Sequence, residues 1–578
     1  MKLVEAIETL EQSLPPQSPL LHVQLACGFT PLHLSTFLSA HLRLEFPDRK
    51  IVIRTGVFGN LAGNLERLEN ADADAVAVSV EWQDLDPRLG IRRLGGWAPK
   101  QLPDIVRNAR AQADRVSESL ERIAQSKMIA LALPTLPLPP LAFTPGWQAG
   151  SLESDLRGIV AELSSRLARV AGIRIVSAQR LDRISPPPAR FDIQSELRTG
   201  FPYSLNHADA LAGLLARMIR NPSPKKGLIT DLDDTLWMGI LGEVGVENIA
   251  WDLDHHAQKH GLYQQMLASL AAAGVLIAVA SKNNPALVEE AFHKATPILD
   301  QHRIFPLEIH WGAKSESVAR ILRAWNIGAD SVVFVDDSAL DLAEVKAAHP
   351  EIECRLFPRD NDKAAYELLE DLRDLFGKQA LSQEDEIRLE SLRAAHAANE
   401  ADVSPRSSPE RFLKEAGGKL QLSFAKNPAD PRPLELINKT NQFNLNGKRH
   451  TEASWKRYLS EPQVFVLVAS YEDKFGPLGK IAVLAGRRDG GMLRLDHWVL
   501  SCRAFSRRIE HGCLLRLFEK FDAQEAACDF VATPRNGPLQ EFFTELLGAA
   551  PGPGCSIRRK QLLKCPPVYF EIQEVADE

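Results

Sequence analysis

Cysteine is scarce in this chain of 578 residues, and its seven copies form no CxxC pair. Zinc sites and disulfide frameworks are built on paired or closely spaced cysteines, so neither is expected. No apolar run approaches the ~20 residues needed to cross a bilayer. The first twelve residues carry three glutamates and no cleavage signal. We therefore expect a cytoplasmic protein with reduced thiols and no membrane partner.

A strong excess of either charge is also missing. The 68 basic and 75 acidic residues leave a formal net charge of −7, which is too small to attract nucleic acid as a whole. Hydrophobic residues make up 45% and charged residues 25% of the chain, as in an average globular protein, so disordered and fibrous classes are excluded. At roughly 100–200 residues per domain, the length predicts several domains.

Proline-rich and polar segments divide the sequence. The segments at 221–227 and 399–410 predict domains at 1–225, 226–400 and 401–578. Strand-like and helix-like stretches alternate in the first two domains, which is typical of doubly wound parallel sheets. The third domain shows a mixed pattern of strands and helices. The predicted fold class is α/β with three domains.

The clearest chemical pattern begins at residues 227–230, a strand of the buried type that ends in Asp231 and Asp233. Alternate residues of an extended chain share one face, so these carboxylates form a hard-oxygen site of the kind that Mg²⁺ prefers. Further polar groups follow the later segments, at Ser281, Asn283, Lys314, Asp336 and Asp337. Open α/β sheets bind ligands at the carboxyl ends of their strands. The pattern therefore predicts a phosphoryl-transfer site.

In their order along the chain, these motifs resemble the haloacid-dehalogenase superfamily of phosphatases. The resemblance implies that Asp231 attacks phosphorus to form an aspartyl-phosphate, while Asp233 serves as general acid and then as general base. It also implies a phosphate-binding set and a magnesium-binding set, which are Thr235, Ser281, Asn283 and Lys314, and Asp231, Asp233, Asp336 and Asp337, respectively. Asp233 would contribute its backbone carbonyl to the metal.

The spacing of the motifs bears on the substrate. Asp231 and Ser281 are 50 residues apart, and Ser281 and Lys314 are 33 apart, which leaves no room for a large lid domain. An open site suits a bulky or protein-tethered substrate, or one that a neighbouring domain covers. The alternative, that residues 237–249 are a sufficient flap, stays open.

Residues 231–249 resemble one branch more specifically, the FkbH-like family of polyketide biosynthesis. The resemblance continues in INKTNQFNL at 437–445, DKFG at 473–476, LSCRAFSRRIE at 500–510 and TPRN at 533–536. It implies a glyceryltransferase and phosphatase that takes a three-carbon unit from 1,3-bisphosphoglycerate and removes phosphate. The product would be a D-glyceryl thioester on the phosphopantetheine arm of an acyl carrier protein.

Cys502 is the candidate acyl nucleophile in this scheme. Arg503, Arg507 and Arg508 lie close to it in sequence, and their charges favour a thiolate and an anionic acyl donor. The alternative is a buried, inert cysteine. The RxxGxG/A loop of GNAT-type acyltransferases reads RAFSRR here, with both glycines replaced, so acetyl-CoA is disfavoured and a carrier-tethered pantetheine is favoured.

Side-chain amides in the C-terminal motifs are candidates for binding the acyl group or the pantetheine arm. The alternative is that they cap turns. The candidate residues are Asn438, Asn441, Gln442, Asn444 and Asn536.

The first domain resembles SGNH-type hydrolases at His207. The Gly-Asp-Ser turn expected after the first strand reads Ala26-Cys27-Gly28, so the catalytic serine is missing. We expect a degenerate docking or structural domain, with an active Cys27 as the alternative. The full prediction is a degenerate SGNH-like doubly wound domain, a Rossmann-like haloacid-dehalogenase domain without a large cap, and a C-terminal GNAT-like α+β domain.

Two other functions stay open. The first is a stand-alone Mg²⁺-dependent phosphomonoesterase, which would turn over soluble phosphomonoesters rapidly without a carrier protein. The second is a catalytically silent scaffold that docks carrier proteins, and unchanged activity in an Asp231→Asn variant would favour it.

Overall fold

The computed structural model describes the chain except for residues 95, 142–143, 380, 382–384, 386–387, 391, 394–413, 415–416, 475, 502–503, 506, 534, 566 and 576–578. The described chain forms two compact units, Met1–Pro222 with His450–Tyr458 and Ser223–Arg449 with Leu459–Glu578. The predicted domain boundary at residue 400 lies outside the described residues. Among the described helices, none has the length and apolar character needed to cross a membrane.

The first unit contains a five-stranded parallel sheet of order β2-β1-β3-β4-β5. Two of its three inner strands, β3 and β4, are buried at every position, as expected where helices cover both faces of a parallel sheet. The strands are β1 (Leu20–Cys27), β2 (Lys50–Thr55), β3 (Ala75–Ser79), β4 (Met128–Ala132) and β5 (Ile173–Ile175).

Nine α-helices of the described residues 1–222 accompany this sheet. The longest, α5, buries an apolar stripe that includes Ile105, Val116 and Leu120, with the spacing of one helix face. The helices are α1 (Leu3–Glu11), α2 (Leu32–Glu45), α3 (Leu61–Glu69), α4 (Trp82–Leu85), α5 (Leu102–Ala124), α6 (Ser151–Leu167), α7 (Ala178–Ile184), α8 (Ile193–Thr199) and α9 (Leu205–Arg220).

The second unit begins with another five-stranded parallel sheet, of order β10-β9-β6-β7-β8. The strands are β6 (Gly227–Thr230), β7 (Leu276–Ser281), β8 (Ile304–Ile309), β9 (Val332–Asp336) and β10 (Glu353–Leu356). The connecting helices are α10 (Leu241–Val244), α11 (Gln258–Ala272), α12 (Pro285–Ala295), α13 (Lys314–Trp325), α14 (Ala339–Ala348) and α15 (Asp362–Phe376).

The C-terminal part of the second unit is built on a seven-stranded mixed sheet of order β16-β15-β14-β13-β12-β11-β17. β11 to β14 pair antiparallel in sequence order, whereas β14 pairs parallel with β15. The strands are β11 (Gly418–Ser423), β12 (Val464–Asp473), β13 (Gly476–Asp489), β14 (Met492–Leu500), β15 (Glu525–Cys528), β16 (Ser556–Arg558) and β17 (Phe570–Glu574).

Five further helices lie in the described residues from 417 onward. They are α16 (Arg432–Lys439), α17 (Glu452–Ser460), α18 (Ile509–Phe521), α19 (Gly537–Leu547) and α20 (Arg559–Leu562). Most of α17 belongs to the first unit, where Glu452 pairs with Arg174 at 2.5 Å. The α/β class, the two doubly wound parallel sheets and the mixed C-terminal sheet that the sequence predicts are confirmed.

Candidate active site

A group of carboxylates lies at the carboxyl edge of the second unit's parallel sheet. Asp231 directly follows the fully buried β6, and its backbone N–H donates to the carbonyl of Val335 at 3.0 Å. Asp336 ends β9 and Ser281 ends β7. Parallel strands end at the same edge of a sheet, so these side chains meet where such sheets bind ligands.

The turn after β6 is anchored by apolar side chains. Leu232, Leu236 and Trp237 are fully buried. Asp234 adopts a φ of 50°, a left-handed conformation that aspartate tolerates better than most residues. The indole Nε1 of Trp237 donates to Oδ1 of Asp233 at 3.1 Å. The aromatic residue that anchors the turn therefore also holds the predicted acid.

Asp231, Asp336 and Asp337 form a candidate metal site. Each offers a carboxylate oxygen, and these oxygens lie within 4.8 Å of one another. Oδ1 of Asp231 is buried and has no hydrogen-bond partner among the described residues. A buried carboxylate oxygen without a partner is costly unless a cation meets it. The residues therefore fit a magnesium ion, which binds few carboxylates and keeps some of its waters.

Lys314, the first residue of α13, lies among these carboxylates with a 4% exposed side chain. Its Nζ is 2.9 Å from Oδ2 of Asp231, 2.6 Å from Oδ2 of Asp336 and 3.7 Å from Asp341. Burial alone would lower the pKa of Lys314, but Asp231 and Asp336 outweigh it and raise this pKa well above its usual value. Lys314 is therefore a permanent cation that can hold phosphoryl oxygens.

The carboxylates of the candidate metal site repel one another. Burial, followed by the charge of Asp231, raises the pKa of both Asp336 and Asp337. Oδ1 of Asp336 accepts a backbone hydrogen bond from Ser338 at 2.8 Å, and Oδ1 of Asp337 accepts one from the Thr235 hydroxyl at 3.3 Å. A divalent cation would relieve this repulsion. Thr235, predicted to bind phosphate, here orients a candidate metal ligand.

Asp233 is separate from this cluster and is held by two side chains. Its Oδ2 accepts a hydrogen bond from Nδ2 of Asn283 at 3.0 Å, and its Oδ1 accepts the one from Trp237. Burial raises the pKa of Asp233 to about 6. A free aspartic acid has a pKa of about 4, so Asp233 keeps its proton nearer to neutral pH, as a general acid must.

Arg359 is a site residue that sequence reasoning missed. Its Nη1 lies 3.2 Å from Oδ2 of Asp234 and 3.3 Å from Oδ2 of Asp337. No motif marks it, but it follows β10, and its place after a strand of the sheet was the available signal. It adds a second cation at the rim of the carboxylate centre.

The site has no separate lid domain. Residues 223–379, all of them described, place only short segments and α10 and α11 between β6 and β7, and α12 between β7 and β8. The segment after Trp237 is fixed by Leu241, which is 1% exposed, and by a backbone bridge between Met238 and Ala250. The prediction of a domain without a large cap is confirmed.

The first unit does not join Cys27 and His207 into a reactive pair. His207 is buried, with Nδ1 2.9 Å from the Ser185 hydroxyl and Nε2 2.9 Å from the Thr135 hydroxyl. Burial, and then the charge of Arg190, lowers the pKa of His207 to about 3. The Cys27 thiol donates to a backbone carbonyl, and burial raises its pKa to about 12. A thiol that stays neutral favours the structural role.

Of Cys502 and the three arginines predicted to assist it, the structure describes Arg507 and Arg508, which lie in different environments. Cys502 and Arg503 lie outside the described residues. Nε of Arg507 donates to Oδ2 of Asp473 at 3.0 Å. Arg508 precedes α18 with a φ of 60°, and its Nη1 is buried without a hydrogen-bond partner among the described residues.

The amide candidates fall into two groups. Asn444 and Asn536 are buried and hold the local fold, with Nδ2 of Asn536 donating to the carbonyl of Asn444 at 3.0 Å. Asn438 lies within α16. Asn441 and Gln442 line a cavity of about 420 Å³.

No family model and no curated protein matches the chain. Among solved structures, it is similar to the N-terminal part of the protein BF1531 from Bacteroides fragilis, which contains a phosphatase domain complexed with Mg. The TM-score is 0.52 at 20% identity, over 66% of this chain and 100% of that chain. At this identity the likeness shows a shared fold alone.

Two weaker likenesses were found. A GDSL-like lipase from Parabacteroides merdae ATCC 43184 gives a TM-score of 0.22 at 15% identity, over 36% of this chain and 97% of that chain. The salicylyl-acyltransferase SsfX3 from a tetracycline biosynthetic pathway gives 0.21 at 11% identity, over 35% of this chain and 54% of that chain. Scores this low carry no argument about fold or function.

Proposed function

We propose that this protein is a magnesium-dependent phosphatase coupled to an acyl transferase, which loads a D-glyceryl unit from 1,3-bisphosphoglycerate onto an acyl carrier protein. One observation supports the phosphatase most strongly. Asp231 and Asp336 pair with the buried Lys314 and cluster with Asp337, while Asp233 lies outside this cluster and has a raised pKa. The resemblance of residues 231–249 and the C-terminal motifs to the FkbH-like family of polyketide biosynthesis supports the substrate and the acceptor.

In the proposed phosphatase step the carboxylate of Asp231 attacks phosphorus, and the bond between phosphorus and the ester oxygen breaks. The proton of Asp233 passes to that oxygen, so an alcohol leaves and an aspartyl-phosphate remains. Asp233 then takes a proton from the water that attacks phosphorus. Inorganic phosphate leaves, and both aspartates return to their starting states.

Side chains of the protein hold the reacting groups in these steps. Asn283 and Trp237 hold the two oxygens of Asp233, and Lys314 supplies a fixed positive charge for the phosphoryl oxygens. A magnesium ion held by Asp231, Asp336 and Asp337 would screen the repulsion between these carboxylates and a phosphate dianion.

In the proposed transferase step a thiolate, assigned to Cys502, attacks the acyl carbon of 1,3-bisphosphoglycerate. A C–S bond forms, the C–O bond to phosphate breaks, and inorganic phosphate leaves. The phosphopantetheine thiol then attacks the resulting thioester, and its proton passes to the sulfur of Cys502. The products are an acylated carrier and the free enzyme.

The test is incubation of the full chain with Mg²⁺, 1,3-bisphosphoglycerate and a holo acyl carrier protein. We expect intact-protein mass spectrometry to show the carrier gaining the mass of a glyceryl group. An apo carrier, which lacks the phosphopantetheine thiol, is the matched control and should gain nothing.

Two variants separate the two halves of the proposal. Asp231→Asn should stop removal of the ester phosphate, and Cys502→Ala should stop loading of the carrier while phosphate release from a soluble phosphomonoester continues. If the unaltered protein releases phosphate but never loads the carrier protein, only the phosphatase half of the proposal stands. Unchanged phosphate release from a soluble phosphomonoester by Asp231→Asn would contradict the phosphatase half.

A further inference from the structure

A cavity of about 420 Å³ lies in the second unit at the edge of the parallel sheet opposite to the carboxylate centre. Its lining includes Lys225 and Lys226, which precede β6, and Leu276, which begins β7. Asp231 follows the other end of β6. At ~3.3 Å per strand residue, roughly 16 Å separate Lys226 from Asp231. The cavity is therefore distinct from the phosphatase centre.

The C-terminal domain supplies the other side of this cavity. Asn441 and Gln442, which follow α16, line it together with Ser501, which follows β14 and precedes Cys502 in the chain. These residues come from the two motifs INKTNQFNL and LSCRAFSRRIE. The cavity therefore brings together motifs about 60 residues apart in sequence, which is the arrangement of a binding site rather than of a single capped turn.

Positive charge dominates the lining. Seven lysines and arginines line the cavity against three carboxylates, those of Asp330, Glu351 and Glu435. Two carboxylates outside the lining also pair with these cations, Asp385 with Lys378 and Arg388 at 2.7 and 2.6 Å and Glu353 with Lys225 at 3.8 Å. An excess of two cations is still left. A cavity whose lining carries an excess of positive charge concentrates anionic ligands.

A smaller cavity of about 220 Å³ adjoins the first, because Asn441 and Arg535 line both. Arg449 also lines it, and none of its described lining residues is a carboxylate. Burial, and then the charge of Arg535, lowers the pKa of Arg449. Two arginines that repel each other across a small cavity fit a dianionic phosphate, to which guanidinium groups donate paired hydrogen bonds.

We infer that the two adjoining cavities form one binding site for a phosphopantetheine-type arm. The phosphate lies at Arg449 and Arg535, the amides of the arm meet Asn441 and Gln442, and the thiol end points to Ser501. The anionic nature of the ligand follows from the lining, whereas its identity as pantetheine rests on the proposed function. Acyl transfer and phosphate removal then occur at opposite edges of one sheet, so the acyl unit changes site between the two steps.

Binding of 4′-phosphopantetheine, pantetheine and inorganic phosphate to the full chain, measured by titration calorimetry in EDTA, tests this inference. We expect phosphopantetheine to bind at least about 10-fold more tightly than pantetheine, because a charge-assisted hydrogen bond is worth about a factor of ten or more. Inorganic phosphate should compete with phosphopantetheine. Equal affinity for phosphopantetheine and pantetheine would overturn the inference.

Two charge-removing variants locate the phosphate. Arg449→Gln and Arg535→Gln should each weaken phosphopantetheine binding about 10- to 100-fold and leave pantetheine binding as it was. The matched control is Arg494→Gln, an exposed arginine on β14 that lines neither cavity. Arg535 also pairs with Glu351 and Asp330, whereas Arg449 donates to the neutral carbonyl of Ile437 and to Oδ1 of Asn441. Neither of these two acceptors is a carboxylate, so Arg449→Gln keeps the test valid if Arg535→Gln fails to fold. Unchanged phosphopantetheine binding in Arg449→Gln would overturn the location.

The source of the phosphate is tested with 3-phosphoglycerate. If 3-phosphoglycerate binds as tightly as phosphopantetheine and loses affinity equally in Arg449→Gln, the cavity takes a free phosphorylated acid and the pantetheine assignment is wrong. Failure of the proposed function looks different. In that case phosphopantetheine would bind and the variants would lose it, but no carrier would become loaded. Loading by Arg449→Gln with an unchanged KM for the holo carrier would instead overturn this inference alone.

Discussion

Nδ2 of Asn283 donates a hydrogen bond of 3.0 Å to Oδ2 of Asp233. Asn283 is 2% exposed and follows β7, whereas Asp233 follows β6, so neighbouring strands supply the candidate acid and the amide that holds it. An amide donor stabilises the ionised carboxylate, and burial favours the protonated form. Burial is the larger effect, because it raises the pKa of Asp233 to about 6 although the hydrogen bond from Trp237 lowers it.

The first prediction concerns the leaving group. We expect Asp233→Asn to lower kcat/KM about 10²- to 10⁴-fold on an alkyl phosphate, because the alkoxide then leaves without a proton. The ratio kcat/KM reports formation of the aspartyl-phosphate and not its later hydrolysis, in which Asp233 is the base for both substrates. The loss should be much smaller on an aryl phosphate such as p-nitrophenyl phosphate, whose phenolate leaves readily. Steady-state phosphate release on the two substrates measures the difference.

Asn283→Ala should show a milder form of the same selectivity. Loss of one hydrogen bond is worth about 1 kcal/mol, or roughly a 5- to 10-fold fall in kcat/KM on the alkyl substrate. Asn60→Ala is the matched control, since it removes the N-cap hydrogen bond of α3 in the other unit. Equal losses on both substrates in Asp233→Asn would show that Asp233 is not the acid.

The second prediction concerns magnesium and stability. A ligand that binds only the folded state at about 100 times its Kd adds about 2.7 kcal/mol to the free energy of unfolding. We therefore expect Mg²⁺ to raise the Tm of the second unit by several degrees, and EDTA to reverse the rise. Differential scanning calorimetry measures both.

Asp336→Asn should abolish this Mg²⁺-dependent rise, because it removes one of the three clustered carboxylates. Asp360→Asn, at an exposed position of the same domain, should keep the rise. A full rise in Asp336→Asn would place the metal elsewhere.

The sequence predicted the carboxylate centre because its physical signature is local. The buried run GLIT before Asp231 and the buried run VVFV before Asp336 each mark a strand end, and parallel strands bring their ends together without further information. Fold class and the absence of a large lid followed from the same spacing.

Contacts between side chains from distant segments could not be predicted, because no local sequence pattern indicates them. Arg359 reaches Asp234 across 125 residues, and nothing in the local sequence distinguishes it from any surface arginine. The roles of Asn441 and Asn536 could not be separated either, because both are amides in loop motifs and only the fold decides that one lines a cavity while the other is buried.

The third prediction is a pH dependence of the first unit. Burial lowers the pKa of His207 to about 3, whereas an unfolded histidine titrates near 6.5. Below pH 6.5 the unfolded chain therefore binds a proton that the folded chain does not. This stabilisation is present above pH 6.5 and is lost as the pH falls towards 3. Between pH 7 and pH 5 the loss amounts to about 2 kcal/mol.

Hydrogen exchange with mass spectrometry on peptides of residues 1–222, corrected for the intrinsic rate at each pH, measures this loss. His207→Gln keeps a polar side chain that does not titrate, so the variant should lack this component of the pH dependence. Other groups, including Glu81, whose pKa is raised by burial, are common to both proteins and cancel in the comparison. Identical pH profiles would assign the effect to another group.

The fourth prediction concerns Gly28, where an SGNH-type hydrolase would carry its nucleophile turn. A Cβ at this position would lie 1.6 Å from Oδ1 of Asp84. The Asp84 carboxylate is itself held, because its Oδ2 accepts the backbone N–H of Glu81 at 2.8 Å. Gly28→Ala must therefore displace a fixed side chain, and we expect it to destabilise the first unit by about 1–3 kcal/mol.

Gly158→Ala in α6, where a Cβ meets nothing within 4 Å, should instead stabilise the unit by about 0.5–1 kcal/mol. Hydrogen exchange of the β1 peptides measures both, and an unaffected Gly28→Ala would show that Asp84 moves freely.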